Sequence, residues 1–258
     1  MRRTFILPVF MLLSLLALPH LSQTLDLEGL VLYLPFDEGQ GKNAADLSGN
    51  GNDGTLENGV EWVDGYFGKG VYLAEIPDHV EVPDSPTLDL EESLTLAIWA
   101  NIEDLPHGSC ALFMKATSYM LHTTTGGDGV KIDPLVFIGG NYGTWPTPVV
   151  VSGSLGEWHH YAAAYDGTRY DLFIDGVLID SYDRPGGGPI DQDDNPLYIG
   201  RDNRVDCDQR NSPCTIDEAV MFSRALSESE MAEVAGGGFF AVEANDKLAT
   251  CWSVIKSQ

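Results

Sequence analysis

Basic residues are scarce in this sequence. The 258-residue chain has 14 Lys and Arg against 39 Asp and Glu, and its formal net charge is -25. Nucleic-acid binding needs clustered Lys and Arg to neutralise phosphates, so this balance argues against a nucleic-acid partner and against adsorption to anionic lipid. It is compatible with calcium binding, with solubility outside the cell, or with both.

Long apolar runs are absent except near the N-terminus. Arg2 and Arg3 precede an apolar run over residues 5–18, which is shorter than the roughly 20 residues that a membrane-spanning helix needs. The pattern predicts a secretory signal peptide over residues 1–24, with an uncleaved membrane anchor as the alternative. We therefore expect a secreted or cell-surface protein whose mature chain does not insert into the membrane.

Cysteine occurs only four times, and no C-x-x-C pair is present, which argues against a redox motif or a zinc ribbon. Cys207 and Cys214 flank the short polar segment CDQRNSPC. We predict that a disulfide joins these two residues and closes a hairpin, since secretion permits disulfides. The sequence leaves open whether Cys110 and Cys251 pair or remain free.

Helical periodicity is nearly absent, and strand signals recur roughly every 10 to 15 residues with turn residues between them. Only SESEMAEVA is typical of a helix, with Ser227 as N-cap and Glu230 completing a capping box. Many antiparallel strands with short turns predict a β-sandwich or jelly roll. The clearest strand is SLTLAIWANIE, whose alternate apolar residues share one face: Leu94, Leu96, Ile98, Ala100 and Ile102.

We expect one domain over residues 25–235. The glycines at 236–238 would end it as a linker, and a short tail follows to residue 258. This tail, FFAVEANDKLATCWSVIKSQ, contains aromatic residues and two Lys. It could dock or address the protein, or it could be disordered.

Several segments, taken in order, resemble a LamG-like jelly-roll domain. The first half is carried by LYLPFDEGQG, DLSGNGNDGTLENGVEWVDGYFGKGVYL, HVEVPDSPTLDL and LTLAIWANI, and the second by GEWHHYAAAYDGTRYDLFIDGVLIDSY, PLYIGR and IDEAVMFSRALSESEM. The resemblance covers residues 25–234. These domains belong to the concanavalin A-like lectin/glucanase group, together with pentraxins and laminin G modules. The resemblance implies an all-β sandwich of two antiparallel sheets with one short C-terminal helix.

The segment DLSGNGNDGTLE, residues 46–57, comes close to the spacing of an EF-hand calcium loop. Its flanks contain glycines and strand-like residues instead of helices, so we reject an EF-hand. The resemblance nevertheless implies a structural calcium where the first and last strands meet. We expect its ligands to include Asp37, Asp46, Asn50 and Asp217, with turn capping by Asp46 and Asn50 as the alternative.

A carbohydrate site would need an aromatic platform and a few polar groups that read hydroxyls. The loop GGNYGTWPTP offers Asn141, Tyr142 and Trp145 for this purpose. His122 and Arg201 lie on predicted strands of the same concave sheet, and we predict that they contribute to the site. The alternative is that Trp145 packs over a sheet edge.

Catalytic sets are missing from the sequence. It has no G-x-S-x-G or H-E-x-x-H motif. Some members of the resembled group are glucanases with paired carboxylates, but the nearest stretch here, with Glu75, Asp78 and Glu81, has spacings of three and is interrupted by Pro77. Such spacing places neighbouring side chains on opposite faces of a strand.

The sequence therefore predicts a secreted, non-catalytic LamG-like module with a concanavalin A-like jelly-roll fold. Its expected ligand is a glycan or an extracellular protein, and a structural calcium accompanies it. One alternative is a hydrolase or lyase that acts on a polysaccharide with the same fold. Another is a purely structural or adhesive surface protein. The sequence does not define the oligomeric state.

Overall fold

The structure is a computed structural model that describes residues 25–106, 108–126, 129–142, 149–184, 187–202, 204 and 212–239. These residues form β1 (Leu30–Leu34), β2 (Asn43–Ala44), β3 (Gly54–Glu57), β4 (Glu61–Asp64), β5 (Lys69–Leu73), β6 (His79–Val82), β7 (Leu94–Ile102), β8 (Ser109–Lys115), β9 (Tyr119–Gly126), β10 (Gly129–Val136), β11 (Val149–Ser152), β12 (Trp158–Tyr165), β13 (Arg169–Ile174), β14 (Val177–Asp183), β15 (Leu197–Ile199), β16 (Cys214–Phe222) and the helix α1 (Glu228–Ala235).

The strands form two eight-stranded sheets. Sheet A runs in the order β14-β13-β12-β7-β16-β5-β4, with β1 also paired to β16, and sheet B runs β11-β10-β9-β8-β15-β6-β3-β2. Every ladder between these strands is antiparallel. Together with the single short helix, the two sheets confirm the predicted all-β jelly-roll sandwich.

Strand β16 lies in the middle of sheet A although it is the last strand among the described residues. On one side it pairs with β7, and on the other with β5 through residues 214–216 and with β1 through residues 219–222. A register shift separates the two stretches between Asp217 and Val220, and Glu218 has a φ of 52° at this point. Asp217 and Glu218 therefore lie where β1 and β5 diverge.

The main core lies between the sheets and follows from alternation along each strand. On sheet B, Tyr119 and Leu121 of β9 face the same interior and are fully buried. Burial of apolar area at about 25 cal/mol per Å² is the principal force that holds two such layers together. The predicted inner face of β7 is confirmed, because these five residues are buried in the core: Leu94, Leu96, Ile98, Ala100 and Ile102.

Helix α1 packs on the outer face of sheet A. Its N-cap is Ser227, whose side chain accepts a hydrogen bond from the Glu230 backbone while the Glu230 carboxylate accepts one from the Ser227 backbone. The predicted capping box is thus confirmed. Beyond the helix, Phe239 is buried and stacks on Tyr33 with ring centroids 4.3 Å apart. The packed region therefore continues past the predicted domain end at residue 235.

Residues 1–24 and 240–258 lie outside the described part of the chain. The signal peptide and the role of the remaining tail therefore stay predictions. Within the described ranges, no helix combines the length and apolar character required to cross a bilayer.

Candidate functional site

The outer face of sheet B carries an apolar cluster that is separate from the main core. The register places Met120 beside Leu135 and Met114, and Met114 beside Tyr198. Because side chains alternate along strands, these residues point away from the sandwich interior. The cluster comprises Ala111, Met114, Met120, Leu135 and Phe137, with Tyr198 packed against it.

A row of polar side chains runs beside this cluster. His122 pairs in register with Asp133 on β10 and with Ala111 on β8. Its Nε2 atom lies 3.4 Å from Oδ2 of Asp202. Arg204 holds Asp202 through two side-chain hydrogen bonds, Nε to Oδ1 at 2.9 Å and Nη2 to Oδ2 at 2.6 Å. The row therefore continues from β10 across the sheet to the segment that follows β15.

Asp202 is charged even though it is fully buried. Burial by itself would raise the pKa of this carboxyl. Hydrogen bonds from Arg204 and His122, together with the positive charge of Arg204, outweigh burial and hold the pKa well below its usual range. The result is a fixed negative group that orients both the guanidinium and the imidazole.

Two polar atoms on this face are buried and have no hydrogen-bond partner among the described residues: Oδ1 of Asp133 and Nε of Arg201. The other oxygen of Asp133 accepts a hydrogen bond from Thr124 Oγ1 at 2.8 Å. Burial raises the pKa of Asp133, and the opposing effects of Thr124 and nearby basic groups do not cancel it. The Arg201 guanidinium lies 5.9 Å from the Tyr198 ring centroid. The face thus contains one acceptor and one donor that are shielded from solvent and have no partner among the described residues.

The turn after β10 is fixed from outside the sheet. Both oxygens of Asp191 accept hydrogen bonds, from the N–H of Gly139 at 2.8 Å and from that of Gly140 at 2.6 Å. The Asn141 carbonyl accepts a hydrogen bond from Arg184 at 2.9 Å. A glycine-containing turn that is clamped by side chains presents its last residues at a defined position.

Tyr142 follows this turn and is 38% exposed. Its ring meets Phe137 edge-on with centroids 5.6 Å apart. Of the predicted ligand-binding residues, the structure thus brings His122, Arg201 and Tyr142 to the outer face of sheet B, and it places Asn141 in the adjoining turn. Trp145 lies outside the described residues.

Sequence reasoning missed several groups on this face. Asp133 was detectable from the alternation in KIDPLVF, where residues 131, 133, 135 and 137 share one side. Tyr198 was detectable in the same way within PLYIG. Asp202 had no local signal, because its ion pair with Arg204 depends on the shape of an irregular segment.

Two of the four predicted calcium ligands lie together. Oδ1 of Asp37 accepts a hydrogen bond from the Lys69 N–H at 2.8 Å, and Oδ2 of Asp217 accepts one from the Phe67 N–H at 2.9 Å. Both carboxylates therefore contact the turn between β4 and β5, on either side of Gly68. Gly68 has a φ of 51°, which favours glycine, and a side chain there would clash with Asp37.

Asp217 lacks compensating positive charge. Burial raises the pKa of Asp217 to about 8, and the charges of Glu218 and Asp37 act in the same direction against two backbone hydrogen bonds. A cation beside the carboxylate would reverse this shift. In the part of the chain that the structure describes, no three His, Cys, Asp or Glu side chains form a metal-binding group. An ion here would need carbonyl or water oxygens besides the two carboxylates, as calcium commonly uses.

Asp46 and Asn50 lie in a different place, in the segment between β2 and β3. The two oxygens of Asp46 accept four hydrogen bonds, from the N–H groups of Tyr33, Ser48 and Asn52 and from the Ser48 hydroxyl. The Asn50 amide donates to main-chain carbonyls of β1. These contacts match the turn-capping alternative. Strands β2 and β3 flank this loop, as expected after rejection of an EF-hand.

The acidic loop DQDDN, residues 191–195, contacts the buried side chain of Lys115. Lys115 is completely buried, and its Nζ donates to the carbonyls of Asp193 and Asn195 at 2.9 Å and to Oδ1 of Asp84 at 2.6 Å. The Asp193 carboxylate accepts hydrogen bonds from the backbone and hydroxyl of Thr117. This part of the loop therefore carries a structural ion pair.

A second aromatic group lies on sheet A, where Tyr66 stacks on Trp99 with ring centroids 3.5 Å apart. Trp158 lies 6.0 Å from Tyr66. With Asp175 and the end of α1, these rings line an open cavity of about 330 Å³. Tyr66 is 44% exposed, so it provides a second exposed tyrosine on the opposite face of the sandwich.

Cys214 carries a free, buried thiol in the structure, and Cys110 does as well. Cys207 lies outside the described residues. The predicted Cys207–Cys214 disulfide is therefore not shown and stays a prediction.

Residues 75–232 match the family model described as the concanavalin A-like lectin/glucanases superfamily. The match spans most of both sheets and ends within α1. No curated protein sequence matches the chain.

Solved structures with a similar fold include the binding domains of two other proteins. The binding domain of Paraclostridial Mosquitocidal Protein 1 is 18% identical with a TM-score of 0.63, over 81% of this chain and 52% of that one. The botulinum neurotoxin serotype D ligand binding domain, in complex with N-acetylneuraminic acid, is 15% identical with a TM-score of 0.61, over 82% of this chain and 51% of that one. This chain spans about half the length of these domains.

A third similar structure is matched over almost its whole length. It is domain 4 of AbnA, a GH43 extracellular arabinanase from Geobacillus stearothermophilus, in complex with arabinotriose. The two are 20% identical with a TM-score of 0.61, and the match covers 80% of this chain and 98% of that one. Such identities establish a shared fold and nothing finer.

Proposed function

Since the chain belongs to the concanavalin A-like lectin/glucanases superfamily, we propose that it is a non-catalytic module that binds a carbohydrate on the outer face of sheet B. The observation that carries this proposal is the pair of buried polar atoms without partners, Asp133 Oδ1 and Arg201 Nε. A buried polar atom without a partner is costly, and a ligand that supplies the partner recovers that cost. Sugar hydroxyls both donate and accept, so one class of ligand satisfies both atoms.

The surroundings of these two atoms suit a sugar. Tyr198 and Tyr142 supply aromatic surface on the side of the polar row that the apolar cluster occupies, and sugar sites combine such surface with a few fixed polar groups. The ion pair of Asp202 with Arg204 keeps His122 in place without adding mobile charge. Arrangement of the polar groups before binding lowers the entropic cost of association.

Two of the similar structures contain a bound carbohydrate, in agreement with this ligand class. One holds N-acetylneuraminic acid and the other holds arabinotriose. The first is a ligand binding domain and the second is one domain of an extracellular arabinanase, and the first supports a binding role over a catalytic one. Secretion through the predicted signal peptide would bring this module to extracellular glycans.

A structural calcium completes the proposal. Asp37 and Asp217 would hold it at the turn between β4 and β5, where the raised pKa of Asp217 marks a deficit of positive charge. The ion would tie this turn to the point at which β1 and β5 diverge from β16. The ion would stabilise the fold and would not contact the proposed carbohydrate-binding face of sheet B.

The binding test uses the full chain on a glycan array, followed by calorimetric titration with the strongest ligand. Asp133→Asn and Tyr142→Ala should each weaken binding by about 10-fold or more, the equivalent of one charged hydrogen bond or one aromatic contact. Tyr66→Ala is the matched control, because Tyr66 is a similarly exposed tyrosine on sheet A. Its affinity should stay within about twofold of the wild-type value.

Three results would overturn the proposal. Loss of binding in Tyr66→Ala with normal affinity in the other two variants would move the ligand to sheet A. Release of reducing sugars from the array ligands would make the protein an enzyme. Absence of any glycan ligand together with capture of an extracellular protein would favour the protein-binding alternative.

A further inference from the structure

Cys110 and Cys214 lie at the same end of the sandwich on opposite sheets. Cys110 is near the start of β8 in sheet B, and Cys214 begins β16 in sheet A. Both side chains are fully buried in the core cluster between the sheets. Their strands therefore direct the two thiols toward each other across the interior.

Neighbouring contacts hold the two strand ends together. The Ser212 hydroxyl donates to the Ser109 carbonyl at 3.2 Å, so the residues that lead into β16 touch the start of β8. The pKa of Cys214 is raised. A hydrogen bond with the Cys110 thiol is the largest cause, and burial is the second. Tyr161 points inward from β12, and burial is the main cause of its raised pKa, with smaller contributions from Asp175 and from the nearby Cys110 and Cys214.

From this arrangement we propose that Cys110 and Cys214 form a disulfide that joins sheet A to sheet B when the chain folds under oxidising conditions. Two S–H bonds break and one S–S bond forms, so two electrons and two protons leave the pair. The electrons pass to a disulfide of a thiol–disulfide oxidoreductase or of glutathione, which becomes two thiols. Any other partner for Cys214 would have to enter the interior that Cys110 already occupies.

The fold also determines when the bond forms. Thiolate is the attacking species in disulfide exchange, and burial together with the Cys110 hydrogen bond raises the pKa of Cys214. Complete burial additionally keeps an external disulfide away from both sulfurs. Oxidation therefore takes place while the two sheets close, before the core excludes the oxidant.

Tryptic mapping distinguishes every pairing, because each cysteine falls in a different peptide. Cleavage after Lys and Arg places Cys110 in peptide 70–115, Cys207 in 205–210, Cys214 in 211–224 and Cys251 in 248–256. The full chain is refolded in a glutathione redox buffer, alkylated and digested without reduction. The expected product is a cross-linked species of 70–115 with 211–224 that reductant separates.

Two results of this map would overturn the proposal. One is a cross-link between 205–210 and 211–224, which is the hairpin disulfide predicted from the sequence. The other is recovery of 70–115 and 211–224 as separate alkylated peptides. Cys207→Ser is the matched control and should retain the 70–115 to 211–224 species.

Thermal unfolding gives a second readout. A disulfide that closes a loop of about 100 residues restricts the unfolded chain strongly, so reduction should lower the Tm by about 5–15 °C. Cys110→Ser and Cys214→Ser should show the lower Tm with or without reductant. The assignment would be contradicted if reductant still lowered the Tm of Cys110→Ser but no longer lowered the Tm of Cys207→Ser.

Discussion

Lys115 and Asp84 form an ion pair of 2.6 Å in which the lysine side chain is entirely shielded from solvent. The carbonyls of Asp193 and Asn195 take further hydrogen bonds from the same ammonium, so its three donors are all used. The ammonium therefore fastens the end of β8 both to the segment that follows β6 and to the segment that leads into β15.

We expect Lys115→Met to lower the free energy of unfolding by about 3–5 kcal/mol, because it leaves Asp84 and two carbonyls without their partner. Lys69→Met is the matched control. Lys69 pairs with Asp64 at 2.7 Å, but both side chains are well exposed, and such pairs contribute less than about 1 kcal/mol. Urea denaturation of both variants measures the difference, and equal losses would contradict a structural role for the Lys115 ammonium.

Calcium should raise the Tm through Asp217 and not through Asp46. At a hundredfold excess over Kd, an ion bound only by the folded state adds about 2.7 kcal/mol, which corresponds to a Tm rise of about 5–10 °C over a chelator control. Asp217→Asn should remove this difference. Asp46→Ala should lower the Tm equally with calcium and with chelator, since Asp46 caps a turn. A calcium effect that depends on Asp46, or none at all, would refute the assignment.

His160 should make the protein less stable in mild acid. Burial lowers its pKa from 6.5 to about 4, against a smaller opposing effect of Asp175. The unfolded chain therefore takes up a proton below pH 6.5 while the folded chain does not, and stability is lost as the pH falls from 6.5 toward 4. Linkage gives a loss of about 2 kcal/mol between pH 7 and pH 5 from this residue.

The measurement compares wild type with His160→Leu by denaturant unfolding at both pH values. Subtraction of the two proteins removes the contributions of other titrating groups, including Asp217, whose pKa is shifted in the opposite direction. Leucine suits the site because neither ring nitrogen of His160 has a partner among the described residues. An identical pH response in the two proteins would show that His160 is protonated equally in the folded and unfolded chains.

The fold was predictable because it depends on local signals repeated along the chain. Alternation in β7 identified its buried face, and Ser227 with Glu230 identified the start of α1. Each signal acts within a few residues, so no tertiary information was needed. The same is true of the turns around Asp166, whose carboxylate accepts hydrogen bonds from Thr168 and Arg169.

The candidate site was only partly predictable, because its groups come from segments far apart in the chain. His122 lies on β9 and Arg201 lies two residues after β15, and the contact between His122 and Asp202 depends on how β15 lies against β8. β16 lies in the middle of sheet A and brings Asp217 to the turn between β4 and β5, which Asp37 also contacts. Asp46 looked like a calcium ligand because aspartate at a tight turn has the same local sequence whether it binds N–H groups or an ion.

The place of β16 in sheet A has a consequence for biosynthesis. Of the described strands, β1 is synthesised first, but it pairs with β16, which is synthesised last, so the pairing of Leu30 with Phe222 forms only after β16 has been made. The closing contacts of sheet A are therefore among the most distant in sequence, which is typical of slow-folding β proteins. A nascent chain of this topology stays open until its last strand arrives.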